Sequence, residues 1–167
     1  MKNFVAAFLL GMVGIISGCG VYSFTGASIS PEVKSFSVQY FPNRAQLVQP
    51  LLSQAFTEKL KERFISLANL RQADRDGDLQ FEGYISDYRT APVAIQGTET
   101  AALNRLTISV YVKFTNTKDA KQNFETTFTR YADYDAKKNL TEVELSLIDE
   151  INRQLIDDIF NKSVSNW

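Results

Sequence analysis

One cysteine and no histidine limit the chemistry this chain can perform. Ser-His-Asp and Cys-His catalysis, His-ligated zinc and a His acid/base near neutral pH each need a side chain that is missing. A lone thiol, Cys19, cannot close an intrachain disulfide. The densest acidic cluster, Asp74-Arg75-Asp76-Gly77-Asp78, looks like the start of a calcium loop. Its glycine stands fourth where such a loop needs it sixth, and Ile85 occupies the twelfth position where a bidentate glutamate belongs. A polar turn before a strand accounts for these residues, so no metal and no cofactor is expected. Asp157-Asp158 reads as surface charge on the solvent side of the last helix. No glycine-rich phosphate loop occurs. The 167 residues carry a net charge of −1, with 44% hydrophobic and 22% charged. That is one globular domain's composition, without the basic clustering that nucleic acid requires. The chain reads as a non-enzyme.

The chemistry that does stand out is at Cys19. Lys2 precedes an apolar run of thirteen residues, 4–16, which is followed by Ser17, Gly18 and Cys19. The run is short of the roughly 20 residues that span a bilayer and suits the apolar core of a secretory signal. Small residues before a cysteine, here Ile16-Ser17-Gly18-Cys19, resemble the lipobox of bacterial lipoproteins. That resemblance implies cleavage before Cys19 and attachment of acyl chains, palmitate among them, to its thiol and new amino terminus. Each buried methylene contributes about 0.8 kcal/mol, so two or three chains hold a protein on a membrane. Gly20, rather than aspartate, follows Cys19, which favours the outer membrane. The chain then divides into a signal peptide (1–18), a lipidated N-terminus and linker (19–31) and a domain (32–167).

Within the domain two periodicities alternate. Phe36, Val38 and Tyr40 alternate with Ser35, Ser37 and Gln39, a short strand. From Leu47 to Leu67 apolar residues fall at helical spacing, with Pro50 acceptable only in the first turn. Leu79, Phe81, Gly83 and Ile85 alternate with Gln80, Glu82, Tyr84 and Ser86. Leu106, Ile108, Val110, Val112 and Phe114 alternate with Arg105, Thr107, Ser109, Tyr111 and Lys113, predicting one buried and one wet face. Residues 123–134 form a further strand with Phe124 and Phe128 inward. Thr141 and Glu144 match a capping box opening a helix along Val143, Leu147, Ile148, Ile151, Leu155 and Ile159. The expected fold is an α+β two-layer sandwich in the order β-α-β-β-β-α. Its sheet has four strands, mostly antiparallel, with two helices on one face. Of five tyrosines, Tyr84, Tyr88, Tyr111 and Tyr131 fall on faces read as wet, and Tyr134 on an inward one. Tyr111 and Tyr131, central on the wet face, are candidates for contact with a protein partner.

A lipobox cysteine followed by Gly20-Val21-Tyr22-Ser23-Phe24, then strand, proline-led helix, three strands and a helix, resembles the LptE family of lipopolysaccharide-assembly lipoproteins. The resemblance spans essentially the whole chain after residue 18. It implies a plug-and-chaperone subunit at the outer membrane, partnered with an LptD-like β-barrel and lipopolysaccharide, its domain facing the periplasm or the barrel lumen. The family places lipopolysaccharide-phosphate contacts at the tip of the second-to-third strand hairpin and in the loop before the last helix. At the first, Ala94-Ile95-Gln96-Gly97 puts Gln96 where a cation is expected. At the second, Ala136-Lys137-Lys138-Asn139 keeps the charge, so Lys137 and Lys138 are the candidate lipopolysaccharide contacts. The competing expectation is a periplasm-facing lipoprotein that binds another envelope component or protein on the same sandwich.

Overall fold

The computed structural model describes residues 29–68, 70–93 and 102–164. The expectations placed on residues 1–20 with Cys19, on most of the linker and on residues 94–97 lie outside the described residues, as does the side chain of Leu67. In chain order the elements are β1 (Ser35–Val38), α1 (Leu52–Ala68), β2 (Arg71–Gln72), β3 (Leu79–Val93), β4 (Leu103–Asn116), β5 (Phe124–Asp135) and α2 (Leu140–Val164). Among the described residues both helices cover one face of a five-stranded mixed sheet ordered β2-β1-β3-β4-β5. β1 is parallel to β2 and β3, whereas β3–β4 and β4–β5 are antiparallel. This corrects the expected four-stranded, mostly antiparallel sheet. The extra strand is two exposed residues long, too short for any alternation to mark it.

Gln49 starts α1: its Oε1 accepts from the N–H groups of Leu51 (2.6 Å) and Leu52 (3.1 Å). Pro50 therefore falls in the first turn, where a missing N–H is no loss. The helix begins later than the apolar spacing suggests, which leaves Leu47 and Leu51 exposed rather than packed. Beyond that point Leu52, Phe56, Leu60 and Phe64 recur every four residues and are fully buried. They lie against β1 and β2, with Phe64 reaching Phe81 of β3, beside Leu147, Ile151, Leu155 and Ile159 of α2. Phe64 is the hub, its ring centroid 5.5 Å from Phe36, 4.6 Å from Phe81 and 5.1 Å from Phe160. Elsewhere on β3, Gly83 permits the close approach of the β4 backbone and the Phe41 ring. A Cβ there would stand 2.0 Å from the Tyr111 carbonyl oxygen and 2.6 Å from the Phe41 ring.

Several faces differ from the sequence expectation for local reasons. The β3–β4 register slips between Ile85 and Asp87, so Ser86 is an extra residue. Everything after it changes side, and Tyr88, expected on the wet face, is buried opposite Ile108 with its hydroxyl donating to Glu144. On the outer face Thr107 and Ser109 are buried too. They are short side chains on a middle strand, flanked in register by Arg89 and Tyr131 and by Asp87 and Thr129. The cap of α2 is Asn139 with Glu142, not Thr141 with Glu144. The Glu142 N–H donates to the Asn139 carbonyl (3.1 Å), and Asn139 Nδ2 donates to the Glu142 carboxylate (3.3 Å). Asp157 and Asp158 are fasteners rather than loose surface charge. Asp157 pairs with Arg63 of α1 (2.7 Å), and Asp158 takes both Nε and Nη2 of Arg130 on β5 (2.6 and 2.7 Å).

Candidate functional site

The Asp74–Asp78 turn has spent its carboxylate on folding. Asp78 accepts from the N–H groups of Lys34 (2.9 Å) and Ser35 (3.0 Å) and from Ser35 Oγ (3.0 Å), and pairs with Lys118 (3.0 Å). These donors, the Lys34 N–H foremost, hold its carboxyl at about 2. Among the described residues no group of acidic or thiol side chains is placed to hold a metal ion.

Lys137 and Lys138 lie in the loop between β5 and α2, and both are exposed. The loop is shaped by Asp135, whose Oδ1 accepts from the Lys137 N–H (2.8 Å) and whose carbonyl accepts from the Lys138 N–H (3.0 Å). The backbone is thereby pinned while neither ammonium meets an acid among the described residues. Sheet register fixes where this loop sits. Leu103, first in β4, pairs with both Val93, last in β3, and Asp135, last in β5, and the Ala136 N–H donates to the Ala102 carbonyl (3.0 Å). The two lysines therefore stand beside the base of the β3–β4 hairpin. The second of the two places where the family resemblance locates phosphate contacts therefore lies at the end of the sheet where β3 ends and β4 begins.

Tyr111 and Tyr131 share the outer face but are not neighbours, since Tyr111 pairs with Thr127 and Tyr131 with Thr107. Tyr111 is already engaged. Its ring stacks on Tyr84 (5.1 Å), Arg44 covers Tyr84 (4.5 Å), and its hydroxyl donates to Glu125 (2.5 Å), which pushes its pKa up. Tyr131 remains 49% exposed, with the Arg105 guanidinium 3.6 Å from its ring centroid. Arg105 in turn grips Asp133 through Nε (2.7 Å) and Nη2 (2.8 Å), and that grip lowers the Asp133 pKa. Sequence reasoning missed the Arg105–Asp133–Tyr131 cluster. Arg105 and Asp133 are 28 residues apart on adjacent strands, and only the β4–β5 register brings Arg105 to Asp133 and Tyr131. Chemically, this end of the sheet offers uncompensated ammonium charge on a loop, next to an aromatic patch whose own cation is neutralised. Phosphate suits the lysines; a flat or aromatic partner surface suits Tyr131.

A family model described as LptE, lipopolysaccharide-assembly, matches residues 33–163. No curated protein matches the chain. Three similar solved structures share its fold. A hypothetical protein from Chlamydia trachomatis has a TM-score of 0.52 at 10% identity, covering 80% of this chain and 99% of its own. A protein from Xanthomonas campestris has a TM-score of 0.53 at 8% identity, covering 83% of this chain and 90% of its own. The rare lipoprotein B from Shewanella oneidensis has a TM-score of 0.50 at 18% identity, covering 77% of this chain and 92% of its own.

Proposed function

The chain belongs to the LptE family of lipopolysaccharide-assembly proteins, and on that premise we propose that it is the lipoprotein plug and chaperone of an LptD-like outer-membrane β-barrel. The family is a non-enzymatic one. The match across residues 33–163 is the observation that carries this reading. Under it, residues 1–18 direct export and are removed, Cys19 carries the acyl chains, and the linker to residue 31 tethers the domain 32–167 to the membrane. Lys137 and Lys138 meet lipopolysaccharide phosphates, and the outer face around Tyr131, with Tyr111, meets the barrel. The exposed ammonium groups, without an acid among the described residues, and the half-exposed, Arg-backed ring at one end of the sheet support that division of roles.

The test is recovery of the tagged full-length chain from envelopes in mild detergent, followed by mass spectrometry. A large β-barrel in equal molar amount, and an acylated N-terminus at Cys19, are the expected results. Recovery of the chain without a barrel would sink the proposal. Cys19→Ala should leave an unprocessed or unacylated chain, because no other thiol is available.

A further inference from the structure

The open margins of the sheet are not protected alike. β2, at one edge, is only two residues long. β3, where it runs on past β1, carries the bulge at Ser86 and Pro92. Short edges, bulges and prolines are the ordinary defences against an added strand. β5, the opposite edge, has none of them. It runs twelve residues in unbroken register on β4, without proline, glycine or lysine. Its charged side chains are engaged within the chain: Glu125 by Tyr111, Arg130 by Asp158, Asp133 by Arg105 and Asp135 by the Lys137 N–H.

Register shows which backbone groups this edge presents. The Ala136 N–H donates to the Ala102 carbonyl, and that pair continues the β4–β5 register. Hydrogen-bonded pairs alternate along an antiparallel ladder, so the even-numbered residues of β5 bond to β4. The N–H and C=O groups of Glu125, Thr127, Thr129, Tyr131 and Asp133 point outward instead, with no partner among the described residues. The helix side of the strand is also incompletely covered. Ala132 and Tyr134 are buried, whereas Phe124, Thr126 and Phe128 are half-buried and Arg130 is exposed. Residues 124–130 thus offer open backbone and open aromatic surface together.

An open edge is complemented by an extended strand with an open edge of its own, and a second copy of β5 brings one. Antiparallel pairing about a two-fold axis sets odd residues opposite odd. An axis at Thr129 would set Glu125 against Asp133, and one at Arg130 would oppose the two arginines. An axis at Phe128 would bring Phe124 onto Ala132, where the helix side is already closed. An axis at Thr127 opposes no like charges. Glu125 then faces Thr129, Phe124 faces Arg130 and Thr126 faces Phe128, all within the open half of the strand. We infer that two copies of the chain pair antiparallel through β5, centred on Thr127, and so join their five-stranded sheets into one.

The test follows the mass of the full chain in detergent by sedimentation across a range of concentrations, with amide exchange over residues 124–135 read by mass spectrometry. One strand pair is a small interface, so the dimer should dissociate on dilution. Exchange in β5 should slow severalfold as the dimer forms. Thr127→Lys and Thr127→Glu each set like charges face to face and should weaken dimerisation about tenfold or more. Neither should move the Tm, since Thr127 is exposed. Mixing the two variants should restore the dimer, because Lys then faces Glu across the axis. A monomer at every concentration would overturn the inference. So would a dimer that both variants leave intact, or one that leaves β5 exchange unchanged, since another surface would then join the copies. A mixture that stays monomeric would overturn the pairing at Thr127.

Discussion

The two ends of the sheet are built differently. At the end where β3 begins, Phe64 of α1 meets Phe36, Phe81 and Phe160 of β1, β3 and α2, Phe114 of β4 meets Phe81, and the turns beside them are tied from within the chain. Asp78 ties the Asp74–Asp78 turn to β1, and the Thr117 N–H donates to the Asp78 carbonyl (2.9 Å). Asn116 Oδ1 accepts from the N–H groups of Lys118 (2.9 Å) and Asp119 (3.1 Å). At the other end, where the β3–β4 hairpin outruns β1, the surface carries Lys137 and Lys138, without an acid among the described residues, a half-exposed tyrosine and, on the helix side, bare leucines. The first end commits its aromatic rings and its turn carboxylate to folding, although Lys34, Arg71, Arg75 and Lys121 are exposed there; the second leaves an aromatic ring and apolar side chains uncovered. Groups already paired inside a chain have little left to offer a partner, so the proposed contacts are placed where pairing is incomplete.

If that contrast is right, perturbations should separate along it. Phe64→Ala strikes the hub of the closed end and should cost about 3–5 kcal/mol in urea unfolding, the range for a buried phenylalanine truncated in a core. A cost near that of an ordinary surface change would show that stability is not concentrated there. Tyr88→Phe lies past the bulge, toward the open end. It removes one hydroxyl that donates to the half-buried Glu144 and should cost only about 0.5–1.5 kcal/mol. A loss as large as that of Phe64→Ala would erase the distinction between the ends.

Acid sharpens the comparison further. The Asp78 carboxyl is held at about 2 in the fold against an ordinary 3.8, so folding favours its ionised form. Its contribution is fully present above about pH 4 and is lost as pH falls towards 2. Asp78→Asn should flatten that part of the stability–pH curve, measured by thermal melts between pH 2 and 5. An unchanged slope would mean other carboxylates dominate. The smallest effect on stability should come from reversing both loop charges, Lys137→Glu with Lys138→Glu. Unfolding should move by less than about 0.5 kcal/mol, because exposed charges contribute little. Lipopolysaccharide binding should nonetheless weaken, most at low ionic strength where screening is least. Binding that survived in a folded double variant would remove the phosphate site from the open end.

Much of this was legible in the chain itself. The alternation through Leu106, Val110 and Phe114 and the four-residue recurrence of Leu52, Phe56, Leu60 and Phe64 marked the buried faces correctly, as did the family resemblance as a whole. Such patterns are local: one strand or helix turns its own side chains by a fixed angle per residue, so a short window suffices to read them. What lay beyond reach was every feature set by one segment's register on another. The bulge at Ser86 turned Tyr88 inward, and the two-residue β2 formed only because β1 was there to receive it. Asp157 and Asp158 found their arginines across elements, and Arg105 reached Asp133 and Tyr131 across a strand pair. Asn152 shows the same division within one residue. Its place on the buried stripe of α2 follows from helical spacing, but whether a buried amide finds a partner depends on which side chains the other helix brings to it, and α1 brings leucine and alanine.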